Sequence, residues 1–493
     1  MHRSIRRLAA ILLLALGGTA LALTYWQIIR ADELVYGSYN PRLAEQEKEL
    51  PRGQMLDRTG KLLAYSEQTA DGMRRRYTDP SMAPVTGYFS PDHGATGLES
   101  SFARYLRGDV ATNPLDAVYR ELVHQPRQGA DLILTLDARV QAAATQAMGS
   151  DKGAIVALDP RTGAVLAMVS TPYQDPNRID ERWSQLQSDP AKPLFNRATQ
   201  GLYTPGSVFK VVTASAALDL GLVNLDQRYE CTQDLVVDGF RIENKNHEGL
   251  SSLTFVQDFA YSCNVTFAKV GLSLDTNPIP LGDATPNPPP WSLGIDETRR
   301  RFLEYTRLFG FDSDFPFDLP TSTSRVGSQP LSRVELANTA FGQGELQVTP
   351  LLMATAAATL ANDGKMLQPY MVEEVRDRNG NVLNRHQPQL VREVIRPSAA
   401  EAMDRLMTAS VEEGYAKPAA ISGVKVGGKT GSAEVGADSK THSWFIGYAP
   451  VDNPVVAVAV IMENKGSGSE FATPAGRKVM EAALASNLPL SHP

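Results

Sequence analysis

The first apolar stretch runs from Leu8 to Ile29 without a charged residue, behind a basic tip that carries His2, Arg3, Arg6 and Arg7. At about 22 residues it can cross a bilayer as a helix, with the arginines held on the cytoplasmic side. Tyr25 and Trp26 then fall near the outer interface. Ala20-Leu-Ala22 has the small-residue spacing of a signal-peptide cleavage site, but the apolar run continues past it, which favours an uncleaved anchor. On either reading the bulk of the chain is exported, and chemistry that needs cytoplasmic ATP is not expected.

Beyond the anchor (residues 1–30) the pattern changes. From 31 to 129 the chain is polar and broken by Pro and Gly clusters such as Asp79-Pro-Ser-Met-Ala-Pro84, as expected of a small pedestal domain. From 130 to 493 apolar helices and alternating strands are dense. Val211-Val-Thr-Ala-Ser-Ala-Ala-Leu218 reads as a buried helix, and Ala260-Tyr-Ser-Cys-Asn-Val-Thr-Phe-Ala268 as a polar turn opening into another. Ser443-Trp-Phe-Ile-Gly-Tyr-Ala449 and Val455–Ile461 read as strands. Helix and strand mix without a regular βαβ repeat, which predicts an α+β domain with an antiparallel sheet. The stretch Asp275–Trp291 holds six prolines and reads as a stiff surface loop, or as the rim of a cleft.

A net charge of −7 argues against a nucleic-acid partner, and Arg74-Arg-Arg76 and Arg299-Arg-Arg301 read as solvated faces. The seven histidines show no ligand spacing with each other or with the cysteines, so neither a metal nor a cofactor is expected. Export permits a disulfide between the two cysteines, Cys231 and Cys263; two separately buried thiols are the other reading.

Candidate chemistry lies in three places. Pro205-Gly206 leads into Ser207-Val-Phe-Lys210, so Ser207 falls in the first turn of a buried helix with Lys210 one turn behind it. A serine hydroxyl needs a neighbouring base. A lysine can be that base only if burial or a nearby cation lowers its pKa from roughly 10.4. Ser262-Cys-Asn264 puts a hydroxyl and an amide in a turn, although alone such a pattern is more often a helix cap. Lys429-Thr-Gly-Ser432 lies in a glycine-rich edge strand that a substrate backbone can approach closely, and Lys429 supplies the second cation. Gly423 to Thr430 also fits the spacing of a phosphate-binding loop, but no convincing helix follows it.

Ser-x-x-Lys, Ser-x-Asn and Lys-Thr-Gly in this order mark serine enzymes acylated by penicillin. With them, the chain resembles the class B penicillin-binding proteins, the monofunctional peptidoglycan D,D-transpeptidases. The likeness extends to Arg52-Gly-Gln-Met-Leu-Asp-Arg-Thr-Gly60, to Gly97-Leu-Glu-Ser-Ser-Phe102, to the hairpin Gly153–Val169, and to Gly342-Gln-Gly and Val348-Thr-Pro350, which resemble the start of a late helix. Ser432 stands where the family often has threonine. The resemblance implies a penicillin-binding and serine β-lactamase-like transpeptidase domain, a five-stranded antiparallel sheet with helical lobes, on the pedestal.

It also implies residue roles. Ser207 is expected as nucleophile, Lys210 as base and Ser262 as proton relay. Asn264, Lys429, Thr430 and Ser432 are expected to bind substrate, and the N–H groups of Ser207 and Ser432 to form an oxyanion hole. Peptidoglycan stem peptides and β-lactams are the expected ligands, and a membrane-bound glycan polymerase the expected partner. A D,D-carboxypeptidase or a β-lactam hydrolase would share these residues and pass the acyl group to water. A non-catalytic scaffold would not need them.

Overall fold

The computed structural model describes residues 2–30, 51–70, 72–110, 128–231, 234–244, 252–274, 295–314, 316–436 and 440–486. The proline-rich stretch 275–291 lies outside them. One helix, Ile5–Gln27, is long and apolar enough to cross a membrane, and none of its apolar window is buried in the protein. Leu13 and Leu14 are more than two-thirds exposed, the outward apolar surface that a membrane-crossing helix presents to lipid.

The core is a five-stranded antiparallel sheet in the order Gly427–Ala433, His442–Ala449, Val456–Met462, Gly153–Leu158, Val165–Thr171. Both faces are covered, so the inner strands read as near-continuous apolar runs. Alternation still sorts them. Val456, Val458 and Val460 join the cluster beneath the helices Ala138–Met148 and Ala472–Ala485, while Ala457, Ala459 and Ile461 join the cluster on the other face. On that second face the sheet meets Pro350–Ala361, whose alanines let helix and sheet approach closely. Thr349 caps this helix, with its hydroxyl accepting the Leu352 N–H at 3.2 Å.

A second sheet of six strands joins the pedestal to the rest. Met55–Leu56, Leu62–Thr69 and Gly72–Tyr77 pair on through Asp131–Leu134 to Val372–Arg376 and Val382–Arg385. Strands from either side of residue 130 thus share one ladder, an arrangement that local pattern cannot reveal. The expectation that Arg74-Arg-Arg76 forms a solvated face fails at its middle member. Strand alternation turns Arg75 inward, where its Nε donates to Glu99 Oε1 at 2.6 Å. Arg52 donates to the other Glu99 oxygen at 2.8 Å, so one buried carboxylate serves two buried guanidinium groups.

Candidate active site

Ser207 lies in a 3₁₀ turn, Gly206–Phe209, that runs into the helix Lys210–Asp219. Several contacts fix this turn against the sheet. Trp444 Nε1 donates to the Thr204 carbonyl at 3.0 Å, and Tyr203 pairs with Val348 in both directions at 2.8 and 3.0 Å. The Gly206 N–H donates to the Gly342 carbonyl at 2.9 Å.

Gly206 has φ +59°, and a Cβ there would stand 3.1 Å from Ser432 C and O. Gly342, at φ +93°, is tighter still: a Cβ would fall 1.8 Å from the Gly206 carbonyl oxygen. Of the two segments expected at the start of a late helix, Val348-Thr-Pro350 does open the helix Pro350–Ala361. Gly342 instead follows the helix Arg333–Ala340 and seats the Ser207 turn.

Ser262 has φ +63°, a left-handed conformation uncommon for a residue with a side chain. Its neighbours hold it there. Cys263 is disulfide-bonded to Cys231, which settles the pairing that the sequence left open. Asn244 Oδ1 accepts the Asn264 and Val265 N–H groups at 3.1 Å each, capping the helix Asn264–Leu272, while its Nδ2 donates to the Cys231 carbonyl.

The third motif forms the edge strand Gly427–Ala433, beside the Ser207 turn. Lys429 is buried and reaches Ser262 from within the fold. Thr430 is buried, and Ser432 is exposed with its hydroxyl accepting the Gly468 N–H at 3.1 Å. A cleft of about 420 Å³ opens beside Asn264, bordered by Phe240, Glu243, Asn338, Gln343 and Glu434. A separate cavity of about 250 Å³, lined by pedestal residues 83–100 and by 170–200, touches none of the three motifs.

The centre of the site is a chain of buried polar atoms. Lys210 Nζ lies 2.7 Å from the Ser262 carbonyl oxygen, 2.7 Å from Asn264 Oδ1 and 3.0 Å from Ser262 Oγ. Lys429 Nζ lies 3.0 Å from the same Ser262 Oγ and 3.2 Å from the Thr430 carbonyl oxygen. One hydroxyl therefore bridges two lysines, both 0% exposed.

The donors balance if Lys210 is a free amine. It then donates its two protons to the Ser262 carbonyl and Asn264, and accepts the Ser262 O–H, while Lys429 donates to Ser262 Oγ. Burial, reinforced by the Lys429 charge, pushes the Lys210 pKa well below its ordinary value, with Asp258 opposing. Burial lowers Lys429 to about 7. Among the described residues no group hydrogen-bonds Ser207 Oγ. The structure thus brings Lys210, Ser262, Asn264 and Lys429 into direct contact, and sets the Ser207 turn, Thr430 and Ser432 along the neighbouring strand. Sequence reading missed Asn244, because it lies in no recognisable short pattern.

Residues 153–481 match the penicillin binding protein transpeptidase domain, and residues 52–132 the penicillin binding protein A dimerisation domain. The chain belongs to the penicillin-binding protein transpeptidase family. It is 32% identical to the peptidoglycan D,D-transpeptidase PbpA of Mycolicibacterium smegmatis, over 98% of this chain and 99% of that one. Among solved structures it is similar to the ceftriaxone acyl-enzyme complex of penicillin-binding protein A from M. tuberculosis, at 31% identity and a TM-score of 0.79. That match covers 90% of this chain and 100% of that one. It is also similar to a chain in a peptidoglycan synthase complex that coordinates polymerization and crosslinking, at 26% identity and a TM-score of 0.71, over 99% of this chain and 100% of that one. The match to PbpA thus runs over nearly the whole chain, and the acyl-enzyme structure covers nine-tenths of it.

Proposed function

We propose that this chain is a peptidoglycan D,D-transpeptidase in which Ser207 is the acylated residue. The observation that carries the assignment is the bridge from Lys210 through Ser262 Oγ to Lys429, assembled beside the Ser207 turn. Lys210, held as a free amine, takes the Ser207 proton as the serine oxygen attacks the carbonyl carbon of the penultimate D-alanine. Ser262 passes that proton to the departing amine, the C–N bond breaks, and D-alanine leaves. An amine of a second stem peptide then attacks the Ser207 ester and forms the crosslink, returning the proton to serine.

Asn264 orients the substrate backbone, Lys429 and Thr430 hold its carboxylate, and the N–H groups of Ser207 and Ser432 stabilise the oxyanion. One such donor is worth roughly 100- to 1000-fold in rate. β-Lactams acylate the same serine. The N-terminal helix tethers the catalytic domain outside the cytoplasmic membrane. The likeness to a synthase subunit supports a membrane-bound glycan polymerase as partner.

Intact-mass spectrometry after addition of penicillin tests the assignment. A long-lived adduct on Ser207, lost in Ser207→Ala, is expected, and a crosslinked product with D-alanine release from paired stem peptides. Rapid return to the free mass with lactam consumed would make the chain a hydrolase. D-alanine release without crosslinks would make it a carboxypeptidase.

A further inference from the structure

A second polar network holds the chain just ahead of Ser207, and none of the steps above uses it. Its centre is Glu463, the residue that follows the strand Val456–Met462. Glu463 Oε1 accepts the Arg197 Nε–H and the Tyr203 hydroxyl, each at 2.8 Å. Arg197 is buried, and its other nitrogens donate to the Ala191 carbonyl at 2.8 Å and the Lys192 carbonyl at 3.3 Å. The guanidinium is thus fixed on three sides, and the carboxylate with it. A charged acceptor makes the Tyr203 bond stronger than a neutral one would. Burial and the Glu463 charge hold the Tyr203 phenol far above its ordinary pKa, so its hydroxyl stays a donor.

Tyr203 stands four residues before Ser207, and what fixes it also aims the Ser207 N–H. Its ring meets His442 and Trp444 edge-on, with centroids 5.5 and 6.2 Å apart, on the strand that pairs with Gly427–Ala433. The turn that follows lies directly on that edge strand. A Cβ on Gly431 would fall 2.9 Å from the Pro205 carbonyl oxygen and 3.1 Å from the Val208 nitrogen. The gap between the Ser207 and Ser432 N–H groups therefore depends on how residues 203–207 are seated.

The chain beyond Glu463 reaches the second donor. Asn464 takes a left-handed φ of +51° and gives its N–H to His442 Nδ1 at 3.0 Å. The Gly466 N–H donates to the Thr441 carbonyl, and the Ser443 hydroxyl to the Ser467 carbonyl, each at 2.9 Å. Gly468 then gives its N–H to Ser432 Oγ at 3.1 Å. A Cβ on Gly468 would stand 2.3 Å from the Gly431 carbonyl oxygen, so only a glycine lets the loop close on the strand. The loop 463–468 thus grips the approach to Ser207 with its first residue and Ser432 with its last.

We propose that this loop is the spacer of the oxyanion hole, with Glu463 and Tyr203 as positioning residues that set the Ser207 N–H against the Ser432 N–H. The inference rests on Ser207 being the acylated serine. The negative oxygen formed in each half of the reaction must lie within about 3 Å of both donors. The Tyr203 hydroxyl seats the turn together with the contacts from Trp444, Val348 and Gly342, so its loss displaces the Ser207 donor without removing it. The expected cost is about tenfold in rate, below the roughly 100- to 1000-fold of a donor removed outright.

Tyr203→Phe tests this in the full-length, detergent-solubilised protein, because it deletes one hydroxyl, keeps the ring and leaves Glu463 paired with Arg197. Penicillin isotopically labelled at its β-lactam carbonyl forms the Ser207 ester, and infrared difference spectroscopy reads the ester C=O stretch. Two donors polarise that bond and lower its frequency, so the band of the variant is expected at higher wavenumber. The acylation rate constant should fall about tenfold with the penicillin dissociation constant unchanged, and hydrolysis of the ester should slow by a similar factor. Glu463→Gln, which offers Tyr203 an uncharged acceptor, should fall between the two, and the same band serves should Tyr203→Phe fail to fold.

A purely structural role would lower the fraction of chain that can be acylated and leave the band and rate of that fraction in place. That result overturns the proposal while the functional reading stands. Failure of the unmutated chain to form any ester with penicillin would overturn the functional reading, and this inference with it.

Discussion

Replacing Lys429 with methionine should leave the protein unable to react with penicillin yet more stable at neutral pH. Burial takes this lysine from an ordinary 10.5 to about 7. At roughly 1.4 kcal/mol per pH unit, the folded state bears a penalty of about 4–5 kcal/mol at pH 7 and below. Methionine fills similar space without that penalty. It also forfeits the contacts with Ser262 Oγ and the Thr430 carbonyl, together worth about 2–3 kcal/mol. The net gain is roughly 2 kcal/mol, or about 3–5 °C in Tm for a domain of this size.

The sign with pH is fixed by linkage. The unfolded chain binds more protons than the folded one between pH 7 and 10.5, so the unmutated protein gains stability as pH rises through that window. The advantage of methionine must therefore shrink above pH 7 and reverse at roughly pH 8.5–9. Differential scanning calorimetry of both proteins from pH 6.5 to 10 reads the effect directly. A variant less stable at pH 6.5, or a gap that ignores pH, would refute the premise that Lys429 is held against its charge. Acylation weakens for a second reason: without the Lys429 charge only burial keeps the Lys210 pKa down, and the amine holds its proton more firmly.

Other perturbations separate the supports of the site. Gly342→Ala places a Cβ 1.8 Å from the Gly206 carbonyl at a positive φ, and should cost more than about 3 kcal/mol while slowing acylation at least tenfold; normal denaturation and labelling would show that the turn can yield. Asn244→Ala uncaps the Asn264–Leu272 helix and should lower stability by about 1–2 kcal/mol, with a larger proportional loss in acylation rate, measured by stopped-flow with a chromogenic lactam. Glu99→Gln strands Arg52 and Arg75 as buried cations. It should cost about 3–5 kcal/mol in urea denaturation with the acylation rate of the surviving folded fraction unchanged.

How far the site was legible in the sequence follows from what each residue needs. Ser207 and Lys210 announce themselves because the proposed nucleophile and base lie three residues apart where a 3₁₀ turn runs into a helix, and such spacing is local information. Lys429 is legible for a related reason, since a glycine-flanked lysine on an edge strand is an uncommon local pattern.

Asn244 carries no such mark. What makes it consequential is where Cys231 and Cys263 tie the chain, and that closure joins segments 32 residues apart in sequence. The same holds for the second sheet, where Asp131–Leu134 sits between a pedestal strand and Val372–Arg376 by pairings that no short window contains. Gly342 was visible as a glycine but not as the seat of the Ser207 turn, because its constraint is a backbone approach from a segment more than a hundred residues earlier. The legible part of this enzyme is thus the chemistry that one element holds by itself. The part hidden from sequence is the long-range scaffolding that sets the charge state of that chemistry, and in a site built from buried lysines the charge state decides the rate.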